Sequence, residues 1–108
     1  MANLRVLLVE DDDDNRELMT EVLVASGCDV VSAASGQEGL ARLSGGVDVL
    51  VTDVGMPGMG GLELARAAKA SAPGVRVVVV TGWAERDDIT SARGKHVDAV
   101  LIKPVDPD

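Results

Sequence analysis

Hydrophobic residues along this chain gather into five short aliphatic runs, separated by stretches of helical periodicity. The runs are "LRVLLV" (4–9), "DVVSA" (29–33), "VDVLVTD" (47–53), "VRVVVVT" (75–81) and "VDAVLI" (97–102). They are rich in Val and mostly do not alternate apolar with polar, as expected of strands buried on both faces of a parallel sheet. Between the first two runs, Leu18, Val22 and Ala25 predict one face of a helix, with Met19 and Leu23 alongside and a stop at Gly27. "SGQEGLARL" opens with Ser35 and Glu38 in capping-box spacing and closes at Gly45-Gly46. "GLELARAAKA" starts at Gly61 and halts before Pro73-Gly74. A fourth stretch, 84–94, is diluted by Thr90, Ser91 and Gly94 and predicts only a short helix.

Strand and helix alternate throughout, which predicts an α/β protein with a doubly wound, five-stranded parallel sheet. Neither a repeat nor a linker divides the chain, so residues 1–108 read as a single domain. The sequence ends in "KPVDPD", where Asp106-Pro107 has the form of a helix N-cap and first turn. The expectation is a domain truncated before its last helix, either cut from a longer chain or covered on that face by another molecule.

Composition narrows the chemistry. With no Phe or Tyr and one Trp, the core must be built from Val, Leu, Ile, Met and Ala. A net charge of −8 argues against direct nucleic-acid binding, which needs a basic face, and makes a cation the more natural small partner. Cys28 stands alone, so no intrachain disulfide forms and a reducing compartment is expected; the residue itself reads as small, apolar and half-buried. The opening "MANLRVLLVE" lacks the apolar core of a signal peptide, and no run reaches membrane-spanning length. The expected location is cytoplasmic, with no membrane partner.

Ligands of open α/β sheets bind beyond the carboxyl ends of the strands. Strand one ends in Glu10 and Asp11, strand three in Asp53, strand four in Thr81 and strand five in Lys103, whereas strand two ends in Ala33-Ala34. If the first, third, fourth and fifth strands are neighbours, three carboxylates, a hydroxyl and an ammonium converge. Carboxylates about 5 Å apart repel by roughly 3 kcal/mol per pair at an effective dielectric near 20. Lys103 supplies one positive charge; a hard divalent ion supplies the rest, and Mg²⁺ suits a site of few carboxylates, retained waters and a phosphate oxygen, with Mn²⁺ as an alternative. His96 is the only histidine, which rules out a Ser-His-Asp set, and neither Cys-His metal spacing nor a glycine-rich phosphate loop is present. What remains is an aspartate nucleophile that attacks phosphorus and becomes an aspartyl phosphate.

The stretches "VLLVEDD", "VDVLVTDVGMPGMGG", "VVVVTG" and "VLIKP" together resemble the receiver domain of two-component response regulators, over nearly the whole chain. The resemblance implies a flavodoxin-like sheet of order 2-1-3-4-5. It implies Asp53 as phosphoacceptor, served by a histidine kinase or histidine phosphotransfer protein in a phosphorelay. It gives Mg²⁺ the ligands Asp11, Asp53, the Gly55 carbonyl and, through water, Glu10. Thr81 and Lys103 would hold the phosphoryl oxygens, and Lys103–Pro104 would be a cis peptide. Homodimerisation or contact with an output domain would use the face of the fourth helix and fifth strand. Such a domain is a switch that assists its own phosphorylation and hydrolysis, not an enzyme acting on outside substrates.

Several positions depart from the family pattern. Val100 stands where an aromatic residue usually swings inward, and Gly60 where Asp, Ser or Asn is common. Gly55 brings no side chain to the acceptor, while Trp83 is bulky and could shade it. Val100 leaves open a pseudo-receiver that binds partners without phosphorylation, and "TGW…VDAVLIKP" resembles receivers within hybrid sensor kinases. A haloacid-dehalogenase-type phosphatase needs a second Asp where Gly55 stands, and flavin binding lacks its aromatics.

The run "VEDDDDNRE" then divides: Glu10 and Asp11 for the ion, Asp12 or Asp13 as N-cap, Asp14 and Glu17 in the first helical turn. Sliding the ion site to Asp11 and Asp12 is the alternative register. Arg16 reads as a solvated first-turn residue, with reach to the phosphate as its second reading. Met56, Pro57 and Met59 read as shaping the loop after Asp53, and Met19 as core.

Overall fold

The computed structural model describes residues 3–81 and 96–102. Five parallel strands, β1 (Arg5–Val9), β2 (Asp29–Ala33), β3 (Val49–Asp53), β4 (Arg76–Thr81) and β5 (Ala99–Ile102), form one sheet of order β2-β1-β3-β4-β5. Helices α1 (Asp13–Ala25), α2 (Gly36–Arg42, continued by a 3₁₀ turn at Leu43–Gly45) and α3 (Gly61–Ser71) connect the first four strands. The fold is therefore the doubly wound sheet expected from the sequence. The fourth helical stretch, Trp83, Lys103 and the end of the chain lie outside the described residues.

Alternation along each strand divides the core in two. Leu7, Val9, Leu50, Val77 and Val79 point to the side packed by Leu64, Ala65 and Ala68 of α3, with Leu40 of α2 beside them. Val6, Leu8, Val51 and Val80 point to the other side, where Met19 and Leu23 of α1 cover them. Each fully buried Leu or Val contributes about 1.5–3 kcal/mol relative to exposure.

Continuous burial holds in β1, β3 and β4 but not at the edges. β2 and β5 have one flank each, and Val31 and Leu101 are exposed. The α1 face also differs from the periodicity reading. Met19 is buried and Val22 and Leu23 are half-buried, whereas Leu18 is 40 % exposed and Ala25 lies in solvent. The helix is rotated so that Arg16, Met19, Thr20 and Leu23 turn inward, a stripe with two polar members that hydrophobicity alone does not pick out.

Capping resolves the acidic run. Asp12 is the N-cap, its carboxylate accepting the Asn15 N–H at 3.2 Å, and Asp13 and Asp14 occupy the first turn. At α2, Ser35 accepts the Glu38 N–H at 3.1 Å, and Glu38 reaches back to the Ala34 N–H, one residue before the N-cap. That bond, together with Arg42, holds the Glu38 carboxyl below its ordinary range.

Candidate metal and phosphoacceptor site

Register brings the strand ends together. Val9 pairs with Thr52, and Asp53 with Val80, so Glu10, Asp53 and Thr81 follow one another across three adjacent strands at the carboxyl end of the sheet. β1 is also where the strand order turns, with β2 on one side and β3 on the other, the place where such sheets bind ligands. Glu10 is 1 % exposed, Asp53 8 % and Thr81 0 %, while Asp11 stands in solvent at the mouth. Each of Glu10, Asp11 and Asp53 offers a carboxylate oxygen, and these oxygens lie within 4.8 Å of one another. Charged together at that spacing, each pair repels by on the order of 3 kcal/mol. The donor set is all oxygen, open on one side through Asp11, and suits a hard divalent cation that keeps water in its shell.

Neighbouring residues fix the Asp53 strand end. Its carbonyl accepts the Thr52 hydroxyl at 3.0 Å, and the Val54 N–H donates to Val80 O at 3.1 Å, extending the β3–β4 ladder past the acceptor. Gly61, the first residue of α3, sits so close that a Cβ there would lie 2.1 Å from the Asp53 carbonyl oxygen. Gly36, at the start of α2, leaves only 2.8 Å between such a Cβ and the Met59 carbonyl. The 54–60 loop is thus pinched between two helix starts that only glycine permits. Met56 is buried in the core and Met59 packs against it, as the loop-shaping reading expected. Gly55 lies in this loop, two residues beyond the acceptor.

Sequence reading placed Glu10, Asp11, Asp53 and Thr81 at the site, and the structure brings these four residues together there, at the ends of β1, β3 and β4. Lys103 follows Ile102, the register partner of Thr81, and itself lies outside the described residues. Asp12 is used as the helix cap, which favours the Glu10–Asp11 register over the alternative one residue later. Sequence reading missed the placement of Arg16. Its side chain is 22 % exposed and folds back to donate to the Glu10 carbonyl at 2.9 Å, while also pairing with Asp13. A cation in the first turn stands at the unfavourable end of the helix dipole, and that misplacement was the available signal.

A doubly wound parallel α/β sheet with a cluster of three carboxylates at its switch point defines the class of domain. The chain belongs to the response regulator receiver domain family, whose model matches residues 6–108. It is 38% identical over 102 residues to a cyclic di-GMP phosphodiesterase of Thermotoga maritima, covering 94% of this chain and 27% of that protein. It is 39% identical over 102 residues to a response regulator receiver protein of Anaeromyxobacter sp. (strain Fw109-5), covering 94% of this chain and 43% of the other. The chain therefore spans less than half the length of these curated relatives. Among solved structures, the response regulator protein TrrA from Thermotoga maritima, in complex with Mg(2+)-BeF, superposes with a TM-score of 0.85 at 29% identity, covering 97% of this chain and 90% of that one. Receiver domains are signalling modules of two-component systems, and they bind Mg²⁺ through an acidic pocket. Among the described residues, no helix is long and apolar enough to cross a membrane.

Proposed function

We propose that residues 1–108 act as one phosphoacceptor receiver unit, in which Asp53 takes a phosphoryl group from a phosphohistidine of a histidine kinase or phosphotransfer protein. The observation that carries this reading is the cluster of Glu10, Asp11 and Asp53, three carboxylates whose oxygens lie within 4.8 Å at the switch point of the sheet. An Asp53 oxygen attacks phosphorus, forming an O–P bond as the N–P bond to the donor imidazole breaks. The Thr81 hydroxyl and the Lys103 ammonium stabilise the phosphoryl oxygens as charge shifts onto them. Asp11, Asp53 and the Gly55 carbonyl would hold Mg²⁺, or Mn²⁺ in its place, with Glu10 acting through water. When bound, the ion supplies positive charge that offsets the carboxylates and the incoming phosphoryl group. The Mg(2+)-BeF complex of the Thermotoga maritima protein supports Mg²⁺ as the ion.

Output then runs through the β4–β5 side of the sheet toward a partner domain or a second copy. Val100 is packed against the core and has no ring to swing. No activity on an outside substrate is part of this reading; the phosphodiesterase name belongs to a relative of which this chain matches 27%. The pseudo-receiver and the hybrid-kinase segment are the competing readings, the first separable on the isolated chain.

Incubation with Mg²⁺ and a small-molecule phosphodonor, followed by intact mass spectrometry, tests the proposal. One acid-stable, base-labile phosphoryl group per chain is expected. An unmodified wild type, under conditions that label other receivers, would leave the pseudo-receiver reading in its place.

A further inference from the structure

We infer that Arg16 is a positioning residue for the cation site, a role that rests on the receiver reading above. Glu10 and Asp11 are joined by one peptide group, and the orientation of that group sets where both carboxylates can go. The Glu10 N–H is held by the Ala33 carbonyl of the neighbouring strand at 3.1 Å, which ends the β1–β2 ladder. The Glu10 carbonyl, the oxygen of the peptide linking the two carboxylates, is held by Arg16 Nη1 at 2.9 Å. The same guanidinium uses Nη2 on Asp13, so one planar fork ties the strand end to the first turn of α1.

The arrangement is built rather than incidental. Arg16 stands where the helix dipole disfavours a cation, and its side chain is mostly buried at 22 % exposure. Its own main chain is anchored at both ends. The Arg16 N–H donates to the Asp12 carbonyl at 2.9 Å, and the Thr20 hydroxyl donates to the Arg16 carbonyl at 2.7 Å. A rigid helical turn therefore carries the fork. Arg16 touches no ligand; it acts through the Glu10–Asp11 peptide, as outer residues act on metal ligands elsewhere, where their loss weakens metal affinity about 10–100-fold.

Charge and position predict opposite results, which makes the role testable. If Arg16 acted only as a nearby positive charge, its removal would strengthen cation binding. As a positioning residue, its removal weakens binding. Lysine keeps the charge but cannot hold two acceptors in one plane.

The experiment is calorimetric titration of Mg²⁺ into wild type, Arg16→Gln and Arg16→Lys, with folding checked by circular dichroism in EDTA. The expected result is about tenfold weaker Mg²⁺ binding by both variants. Arg16→Lys, the more conservative change, carries the test if Arg16→Gln does not fold. Unchanged affinity in the folded variants, or tighter binding by Arg16→Gln beside unchanged Arg16→Lys, overturns the positioning role while leaving the receiver reading intact. A wild type that binds no Mg²⁺ overturns both.

Discussion

At the amino-terminal edge of the sheet, Asp48 and Asp98 each accept a backbone N–H from the neighbouring strand, whereas at the carboxyl edge Glu10, Asp11 and Asp53 are turned toward one another. Asp48 receives the Arg5 N–H at 2.9 Å. Asp98 receives the Val77 N–H and the Lys69 ammonium, both at 2.7 Å. Lys69 also donates to the Val75 carbonyl, tying α3 to the start of β4. These carboxylates fasten β1 to β3 and β4 to β5 where the strands begin, and Asp98 is paired with the Lys69 ammonium as well. The carboxyl-edge group brings three carboxylates within 4.8 Å of one another, an arrangement that a cation would favour. One edge of the sheet fastens the fold, and the other gathers the candidate site.

The contrast can be broken most severely at Gly61. A Cβ there would meet the Asp53 carbonyl at 2.1 Å, and backbone does not give way cheaply. Gly61→Ala should lower stability by about 3 kcal/mol, the upper range for forced overpacking, and should impair phosphoryl incorporation as well. Denaturant unfolding and intact mass read the two effects; a variant with wild-type behaviour in both would refute the close approach.

Mg²⁺ should separate the two edges. At a hundred times its Kd the ion adds about 2.7 kcal/mol to wild-type stability. Asp98→Ala should show the same gain, and Asp53→Asn most of it lost. Thermal unfolding with Mg²⁺ or EDTA makes the measurement, and equal gains in all three chains would place the ion elsewhere.

Asp98→Ala itself should cost about 2 kcal/mol, because the Val77 N–H and Lys69 both lose their acceptor. Phosphoryl incorporation per folded molecule should not change. A stability loss within error would mean that water replaces the carboxylate at no cost.

The smallest effect is on acid stability. The Lys69 ammonium, with the Val77 N–H, holds the Asp98 carboxyl below its ordinary value of 3.8. A depressed value in the folded chain means that this contribution is complete above the ordinary value and fades as pH falls through the depressed one. Unfolding free energy should therefore drop more steeply below pH 4 in wild type than in Asp98→Ala. Parallel curves would contradict it.

The carboxyl edge was legible in the sequence because its residues stand at the ends of unbroken Val-rich runs. Topology then had only to bring Glu10, Asp53 and Thr81 side by side. The amino edge was legible in principle, since "VD" precedes both β3 and β5, but a carboxylate there says nothing about which strand's N–H it will cap. The rotation of α1 was legible only in part, through Met19 and Leu23. Leu18, Val22 and Ala25 make a plausible apolar stripe, and Arg16 and Thr20 turn inward through backbone hydrogen bonds that leave no hydrophobic pattern. Edge exposure of β2 and β5 follows from strand order, which periodicity does not contain.

Peptide mapping of the phosphorylated chain gives the sharpest discrimination between the two edges and within the acidic cluster. With Mg²⁺ and a phosphodonor, the modification should lie on Asp53 alone, vanish in EDTA and be absent from Asp53→Asn. A phosphoryl group on Asp11, Asp48 or Asp98, or equal labelling of Asp53→Asn, would contradict the assignment of the carboxyl edge as the phosphoacceptor site.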